Sequence, residues 1–309
     1  MKGIFMTTDQ TYFPEFTQRL IDVGDGIQIN TLVGGTGKEA LLLLHGHPET
    51  HLMWRFLTPE LVKHYTVVMT DLRGYGDSSK PEGLPDHSNY SKRAMADDQV
   101  EVMRQLGFEK FHIIGHDRGA RVLHRMVLDH EDKITSCTLI DIVPTYDMYK
   151  ETSEAFATKY WHWFFYIQGV GFPETCLLAD PDRFINYNLN LKIGPAACAN
   201  FPADVLAEYT RGFAQWGTVH GICEDYRASA TIDMVLDEPD RARKMKTPIL
   251  LLWGKNGVVG KLWDVPAKWA PFVETLEGYG VDECGHFVPE EQPQAVLNHL
   301  MPFLAKYAQ

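Results

Sequence analysis

A repeated alternation of short apolar runs and amphipathic segments constrains this 309-residue chain more than any other feature of its sequence. Residues 40–44, 65–70 and 111–115 are apolar runs that end in turn residues, and each is followed by a polar or helix-like segment. Buried parallel strands are typically short apolar runs, and their crossover connections are usually helices. The N-terminal half is therefore predicted to form a mostly parallel sheet with helices on both faces.

Helical periodicity in the intervening segments fits the same architecture. Residues 91–106 and 120–130 carry apolar side chains at a spacing of about 3.6, which is typical of amphipathic helices. Residues 136–142 are a further strand candidate that ends in an acid, and the strand pattern resumes at 247–253 before a final helix at 294–306. The predicted fold class is α/β, with a mostly parallel central sheet.

The composition and periodicity of the sequence change after Pro144. An aromatic stretch at 160–166 is followed by short helix-like pieces that prolines punctuate. We interpret this segment as an inserted helical cap over residues 145–235, and we place the core at 1–144 and 236–309. A prior of roughly 150 residues per domain allows such a division.

The charge balance limits the partners that such a chain can bind. Lysine and arginine total 29, whereas aspartate and glutamate total 41, which gives a net charge of −12. An acidic surface repels nucleic acid and anionic membranes. We therefore predict a small-molecule or protein partner, with no nucleic acid or membrane bound.

Cysteine usage and the N-terminal sequence indicate a compartment. The five cysteines include no C-x-x-C pair, which predicts reduced thiols rather than a disulfide framework or a metal site. The N-terminal residues lack the apolar core of a secretory signal, and the longest aliphatic runs, such as 41–44, are far shorter than a membrane helix requires. The expected location is the cytoplasm.

The strongest local motif is Gly-His-Asp-Arg-Gly at 115–119, directly after a predicted strand and before a predicted helix. It matches the G-x-nucleophile-x-G turn, in which a sharp bend exposes the central side chain and the glycines relieve crowding. The central residue is Asp117 rather than serine. The structural alternative is a glycine-bounded turn with an acid at a helix start, where the helix dipole favours a carboxylate.

Three further segments supply the partners that such a nucleophile needs. Asp141 follows the next strand, and His286 lies between the last strand and the last helix, which gives the chain order nucleophile, acid, histidine. The loop at 45–48, His-Gly-His-Pro, follows the first predicted strand, where this architecture builds an oxyanion hole. The backbone N–H groups of His47 and Arg118 are the predicted donors.

Taken together, these motifs resemble the haloacid-dehalogenating branch of the α/β-hydrolase family over nearly the whole chain. The matching stretches are 45–48, 71–76, 90–93, 115–121, 141–142, 161–163, 225–227 and 285–287. The resemblance implies an α/β-hydrolase fold with an inserted helical cap, assembled as a homodimer. It also implies hydrolysis of short 2-haloacids, fluoroacetate first, to the 2-hydroxy acid and halide.

An aspartate nucleophile selects a particular reaction. Serine attacking a saturated carbon would leave an ether that activated water could not cleave, whereas aspartate leaves an alkyl ester that can be hydrolysed at its own carbonyl. Asp117 is therefore predicted to displace the halide, and His286, oriented by Asp141, to activate water against the ester. This mechanism requires no cofactor and no metal.

Two arginines beside the nucleophile are candidates for binding the substrate. Arg118 and Arg121 lie one and four positions after Asp117. If a helix begins there, both side chains lie near Asp117 at the opening of the predicted site. The resemblance assigns this pair to the substrate carboxylate, which guanidinium groups recognise well. The structural alternative is that both arginines pair with surface acids.

The predicted halide pocket lies in the cap. The resemblance assigns it to His162, Trp163 and Tyr226, whose ring N–H, indole N–H and phenol O–H are all hydrogen-bond donors. Fluoride is a poor leaving group and a strong acceptor, so donors that strengthen as its charge develops would help it depart. The alternative is that the aromatic residues only pack the cap onto the core.

One departure from the resembled enzymes and three alternative functions remain. Those dehalogenases carry phenylalanine at the position of His47, so the pocket here gains a polar side chain while the backbone N–H is kept.

Epoxide hydrolases share the aspartate turn, but they usually take their acid from the loop after the next strand, here 254–257, and use cap tyrosines. Haloalkane dehalogenases bind neutral substrates, which gives no reason for an arginine pair. A non-catalytic receptor is disfavoured by the intact nucleophile, acid and histidine.

Overall fold

An eight-stranded sheet forms the centre of the computed structural model, in which residues 8–192 and 198–308 are described. The strands are β1 Thr17–Asp22, β2 Gln28–Gly34, β3 Ala40–Leu44, β4 Thr66–Thr70, β5 Phe111–His116, β6 Ile134–Ile140, β7 Ile249–Gly254 and β8 Leu276–Val281. Their spatial order is β1-β2-β4-β3-β5-β6-β7-β8. The pairings of β2 with β1 and with β4 are antiparallel, and the others are parallel. The mostly parallel sheet predicted from the sequence is confirmed.

Helices follow most of the parallel strands. Before β6 lie α1 Thr8–Tyr12, α2 Thr58–Leu61, α3 Lys92–Gln105 and α4 Asp117–His130. Between β6 and β7 lie α5 Thr145–Lys150, α6 Glu154–Lys159, α7 Trp161–Tyr166, α8 Phe172–Leu178, α9 Pro181–Lys192, α10 Ala203–Phe213, α11 Trp216–Ala230 and α12 Ile232–Asp240. After β7 lie α13 Val258–Leu262, α14 Val265–Trp269, α15 Val288–Glu291 and α16 Pro293–Lys306. Short 3-10 turns occupy His51–Phe56, Ser88–Tyr90, Glu131–Lys133, Cys198–Asn200 and Ala270–Phe272.

The centre of the sheet is buried on both faces. All five residues of β3 and all six of β5 are buried. Burial on both faces explains why these strands are continuous apolar runs rather than alternating ones. Burial of each leucine side chain of β3 contributes about 1.5–3 kcal/mol to the stability of the folded state. The sheet therefore holds the ends of β3 and β5, from which two loops of the site emerge.

The antiparallel edge of the sheet is not predicted by the sequence pattern. Strand β1 has the sequence Thr-Gln-Arg-Leu-Ile-Asp, and five of its six residues are exposed. An edge strand meets solvent along one side, and polar side chains there discourage pairing with other chains. This strand consequently lacks the apolar run that marks the central strands.

Of the predicted boundaries that change in the structure, two concern the site. The helix predicted over 120–130 begins at Asp117, and the strand predicted over 136–142 ends at Ile140. Asp117 and Asp141 then stand in the left-handed region of the backbone, with φ values of +45° and +53°. Non-glycine residues seldom adopt this conformation, and it is concentrated at functional turns.

The segment between β6 and β7 is helical, as its pattern indicates. We call α5 to α12 the inserted helices. The division of the chain into a core and a cap at 145 and 235 stays a prediction. The inserted helices contact α4, the helix that follows β5, because Asp225 on α11 pairs with Arg118 on α4.

The described thiols are unpaired. Cys137, Cys223 and Cys284 are buried and Cys176 is exposed, and all four are free. The side chain of Cys198 and residues 1–7, to which the N-terminal expectation applies, lie outside the described residues. Across 8–192 and 198–308, no helix is long and apolar enough to cross a membrane.

Candidate active site

The turn between β5 and α4 presents Asp117 at the carboxyl end of the sheet. A Cβ at Gly119 would lie only 2.3 Å from the carbonyl oxygen of Leu44, so glycine is required for this close approach. The Gly119 N–H donates to the carbonyl oxygen of His45 at 2.9 Å, which ties the turn to the loop after β3. The carboxylate of Asp117 is thereby fixed in a buried position.

The predicted acid and histidine meet at this carboxylate. His286 Nδ1 lies 2.6 Å from Asp141 Oδ2, and His286 Nε2 lies 3.8 Å from Asp117 Oδ2. Asp141 Oδ1 also accepts the Gly254 N–H at 3.1 Å, which fixes the plane of its carboxylate. His286 Nε2 is buried and has no hydrogen-bond partner among the described residues. The structure therefore brings all three side chains into one constellation.

Burial and neighbouring charges set the protonation states of these groups. Burial lowers the pKa of His286 well below its ordinary value, so its imidazole is neutral at pH 7. Burial alone would raise the pKa of Asp117, but the charges of Arg121 and Arg118 hold this pKa well below its usual range. The arrangement thus pairs an ionised carboxylate with a neutral base, the states that nucleophilic attack and water activation require.

The loop after β3 directs one backbone donor at the carboxylate. The His47 N–H donates to Asp117 Oδ1 at 3.1 Å. Asp117 Oδ1 therefore already accepts one of the two backbone donors predicted for an oxyanion hole. The second predicted donor, the backbone N–H of Arg118, stays a prediction.

Arg118 pairs with a buried acid rather than with a surface acid. Its Nε and Nη2 each lie 2.8 Å from a carboxylate oxygen of Asp225, and Nη2 also donates to Ser229 Oγ at 2.6 Å. Asp225 further accepts the Tyr75 hydroxyl at 2.7 Å and contacts Lys92 Nζ. Arg118 Nη1 is buried without a partner among the described residues. Asp225 and Ser229 therefore hold this guanidinium, Tyr75 and Lys92 hold Asp225, and Nη1 is left without a described partner.

Arg121 is oriented in a similar way by neutral groups. Its Nη1 donates to the carbonyl oxygen of Val143 at 3.1 Å and to Thr145 Oγ1 at 2.9 Å, and Nη2 lies 3.3 Å from Met148 Sδ. Arg121 Nε is buried and has no partner within the described part of the chain. Its charge and that of Arg118 both act on Asp117. Each arginine thus keeps one buried nitrogen without a partner among the described residues.

The three predicted halide donors are buried on α7 and α11. The ring centroids of His162 and Trp163 lie 6.0 and 5.9 Å from that of Tyr226. Arg118 Cζ lies 4.0 Å from the Tyr226 ring, and Arg121 Cζ lies 4.6 Å from the Trp163 ring. Trp163 Nε1 is a buried donor without a described partner. The structure therefore places the rings of Trp163 and Tyr226 against the two arginines, and the ring of His162 beside Tyr226.

The His47 side chain adds a polar atom to an aromatic environment. Its Nε2 lies 3.2 Å from the Tyr166 hydroxyl, and Nδ1 is buried without a described partner. The rings of Phe213 and Tyr226 lie 6.2 and 6.1 Å away. Burial, with the nearby Lys192 charge, lowers the pKa of His47 to about 3, so the ring is neutral.

A row of buried polar groups behind His286 is not predicted by the motifs. His116 Nε2 lies 2.8 Å from the carbonyl oxygen of His286, and His116 Nδ1 lies 2.9 Å from Glu49 Oε2. Burial raises the pKa values of Glu49 and Glu290 to about 8. These contacts tie the loop that carries His286 to the loop after β3. No local spacing in the sequence signals them, because they join residues more than 60 positions apart.

Lys192, at the end of α9, also lies at the site and carries no sequence signal. Its carbonyl oxygen accepts the His286 N–H at 3.0 Å, and its Nζ lies 5.7 Å from the centroid of the Tyr160 ring. Tyr160 is buried, with its ring 6.4 Å from that of His286.

Among residues 8–192 and 198–308, no group of three or more His, Cys, Asp or Glu side chains could hold a metal ion.

Comparison with known proteins gives a consistent relationship. A family model described as alpha/beta hydrolase fold matches residues 39–178. Fluoroacetate dehalogenase from a Burkholderia species is 45% identical over 95% of each chain. Soluble epoxide hydrolase from a Corynebacterium species is 29% identical over 91% of this chain and 95% of its own. A Salmonella enterica structure provisionally described as an acyltransferase has a TM-score of 0.93 at 41% identity, over 96% of this chain and 97% of its own. With its sheet and aspartate turn, this chain therefore belongs to the alpha/beta hydrolase family.

Proposed function

We propose that this protein is a hydrolase that acts on carbon–halide bonds and converts short 2-haloacids, fluoroacetate first, to the 2-hydroxy acid and halide. For fluoroacetate the products are glycolate, fluoride and a proton. Two relationships support the proposal: the relative with 45% identity is a fluoroacetate dehalogenase, and the carboxylate–histidine–acid constellation suits displacement followed by ester hydrolysis.

One observation carries the choice of an anionic substrate. Arg118 Nη1 and Arg121 Nε are buried donors without a partner among the described residues, and both belong to guanidinium groups whose other nitrogens are held. A buried charged donor left unpaired costs free energy, so a ligand carboxylate would satisfy both groups at once. We assign the carboxylate of the haloacid to this pair.

The first step is displacement at the carbon that bears the halogen. Asp117 Oδ2 is the attacking atom, because Oδ1 already accepts the His47 N–H. A lone pair of Oδ2 forms the new C–O bond while the C–X electron pair leaves with the halide. His162, Trp163 and Tyr226 receive the halide as donors. The product is an alkyl ester on Asp117.

The second step hydrolyses this ester at its own carbonyl carbon. Neutral His286 takes a proton from water through Nε2, and Asp141 stabilises the imidazolium that forms through the 2.6 Å contact at Nδ1. Negative charge develops on Asp117 Oδ1, which the backbone N–H of His47, and in our assignment that of Arg118, stabilises. Collapse of the intermediate breaks the bond between the carbonyl carbon of Asp117 and Oδ2, and the imidazolium of His286 returns its proton to Oδ2 as the hydroxy acid leaves. The second proton of the water is released, which restores the Asp117 carboxylate. Neither step requires a cofactor or a metal.

Epoxide hydrolysis is the second candidate. The Corynebacterium relative is an epoxide hydrolase, and buried tyrosines such as Tyr160 and Tyr226 line the site. However, a neutral epoxide would leave both arginine N–H groups unpaired in a buried site, which disfavours it.

The proposal also covers the organisation of the protein. We take it to be a cytoplasmic homodimer in which residues 145–235 form a cap over a core of 1–144 and 236–309. Light scattering coupled to size exclusion tests the assembly, and a monomer would contradict it.

Halide release from fluoroacetate and chloroacetate, compared with diol formation from an epoxide, tests the function. Ion chromatography measures halide and glycolate, and Asp117→Ala is the control. Fluoride and glycolate in equal amounts from the native protein alone are the expected result. Diol without halide would instead favour the epoxide hydrolase.

A further inference from the structure

The predicted halide donors provide hydrogen bonds but no net positive charge. Burial, and then the charge of Lys192, lowers the pKa of His162 well below its ordinary value, so the imidazole is neutral. Trp163 and Tyr226 are neutral donors as well. The charge of Arg118 is engaged by Asp225, and in the proposed function both arginines serve the carboxylate. A fluoride leaving into this pocket would therefore be an anion without a charge partner.

An uncompensated buried anion is strongly unfavourable. Hydrogen bonds from neutral groups offset part of this cost, but a cation acts directly on the charge that develops as the carbon–halogen bond breaks. The need is greatest for fluoride, because its charge is the most concentrated of the halides. A cation in the wall of the site that is not paired with a protein carboxylate would meet this need.

Lys192 is such a cation. Its half-buried side chain carries Nζ 5.7 Å from the Tyr160 ring centroid, and that ring lies 5.2 Å from the ring of His162. No carboxylate oxygen of the described residues lies within 4.0 Å of Nζ. The backbone of Lys192 is fixed at the site, because its carbonyl oxygen accepts the His286 N–H at 3.0 Å.

The effect of the Lys192 charge on neighbouring histidines agrees with the position of its ammonium group. After burial, Lys192 is the leading charged neighbour that lowers the pKa values of both His47 and His162. Burial lowers the pKa of Lys192 itself, while Asp117, Glu49 and Asp141 act in the opposite direction. The ammonium group thus lies beside the Tyr160 ring, and that ring adjoins the ring of His162, which is assigned to the halide.

We propose that Lys192 supplies the positive charge that stabilises the departing halide. The inference rests on the proposed dehalogenation and adds a leaving-group partner to it. In the displacement step the carbon–halogen electron pair moves onto the halide, and the ammonium of Lys192 stabilises that charge without transferring its proton. Halide and hydroxy acid then leave, and the lysine is unchanged.

Leaving-group dependence tests this role, because a purely structural lysine would affect all halides alike. Enzyme in excess over fluoroacetate, chloroacetate or bromoacetate is quenched at short times, and released halide is measured by ion chromatography. The variants are Lys192→Met, which keeps length without charge, and Lys192→Arg, which keeps charge. Lys150→Met is the matched control, since Lys150 is exposed and its Nζ lies 5.3 Å from the Tyr146 ring in a similar cation–ring contact.

We expect Lys192→Met to slow fluoride release by about 100-fold, as removal of one oxyanion donor does, and bromide release by less than about 5-fold. Lys192→Arg should recover part of the loss, and Lys150→Met should match the native protein. Equal slowing of all three halides, or a change confined to KM, would overturn the assignment. Native protein that releases no halide would refute the dehalogenation itself, whereas native release that Lys192→Met fully retains would refute only the role of Lys192.

Discussion

His286 Nε2 lies 3.8 Å from Asp117 Oδ2, a separation too long for a hydrogen bond. The carboxylate is therefore not held by the histidine, and its Oδ2 is free to attack. Once Oδ2 carries an alkyl group it is no longer a charged acceptor, and His286 Nε2 has only water to deprotonate. The same spacing thus serves both steps of the proposed mechanism.

His286→Asn should separate the two steps. Asparagine cannot take a proton from water, so displacement should proceed once and the ester on Asp117 should accumulate. Intact mass spectrometry after incubation with chloroacetate should show a carboxymethyl adduct, and peptide mapping should place it at Asp117. One equivalent of chloride should appear per active site. Normal turnover without an adduct would contradict the two-step scheme.

Isotopic water distinguishes ester hydrolysis from direct attack of water on the substrate. In a single turnover in water labelled with oxygen-18, the hydroxyl oxygen of glycolate should come from Asp117 Oδ2 and remain unlabelled. The label should appear in the Asp117 carboxylate, as mass analysis of the peptide would show. Labelled glycolate in that first turnover would mean that water attacks the substrate carbon directly.

Much of the fold follows from local sequence patterns, because buried strands and amphipathic helices have strong periodicities. Strands β3 and β5 appear within one residue of the predicted ends, whereas β1 is missed because an exposed edge carries polar residues. In the site, the chain order of Asp117, Asp141 and His286 can be predicted from motifs. The contacts of Arg118 with Asp225 and of His286 with Lys192 join distant segments, so no spacing reveals them.

Arg121→Ala should weaken substrate binding. The loss of a charge-assisted hydrogen bond costs about 1.5–3 kcal/mol, which corresponds to a KM for haloacetates raised by roughly 10- to 150-fold. Arg125→Ala is the matched control, because Arg125 lies one turn further along α4 and pairs with Asp129 and Asp240 instead. Steady-state halide release measures both variants. An unchanged KM in Arg121→Ala would remove the carboxylate assignment.

Asp225→Asn should affect both stability and binding. It removes the charge that holds Arg118 and leaves that guanidinium without an acid, while Lys92 keeps only Asp233, whose Oδ2 lies 3.6 Å from Nζ. Breaking a buried ion pair typically costs about 3–5 kcal/mol, so the melting temperature should fall clearly. KM for haloacetates should also rise, because Nη1 of Arg118 loses its orientation. A lower melting temperature with native KM would show that Asp225 only supports the fold.

The pH dependence of catalysis should be displaced toward acid. Burial lowers the pKa of His286, and only the neutral imidazole can accept a proton from water. Activity should therefore be retained as pH falls through the ordinary histidine value of about 6.5 and be lost only below it. The rate of glycolate release, measured across a range of pH, reports ester hydrolysis and gives the midpoint of this loss of activity at acid pH. A midpoint at or above the ordinary value would contradict a neutral buried base.

His47→Phe tests the polar side chain in the aromatic wall. The variant keeps the backbone N–H that donates to Asp117, so halide release should persist. It leaves the Tyr166 hydroxyl without the 3.2 Å contact to Nε2, and an unpaired buried hydroxyl costs about 1–3 kcal/mol. The double variant His47→Phe with Tyr166→Phe should recover most of that stability, because both polar partners are then removed. Chemical denaturation measures the free energies of unfolding of the native protein, both single variants and the double variant. Additive losses would show that the two side chains are not coupled.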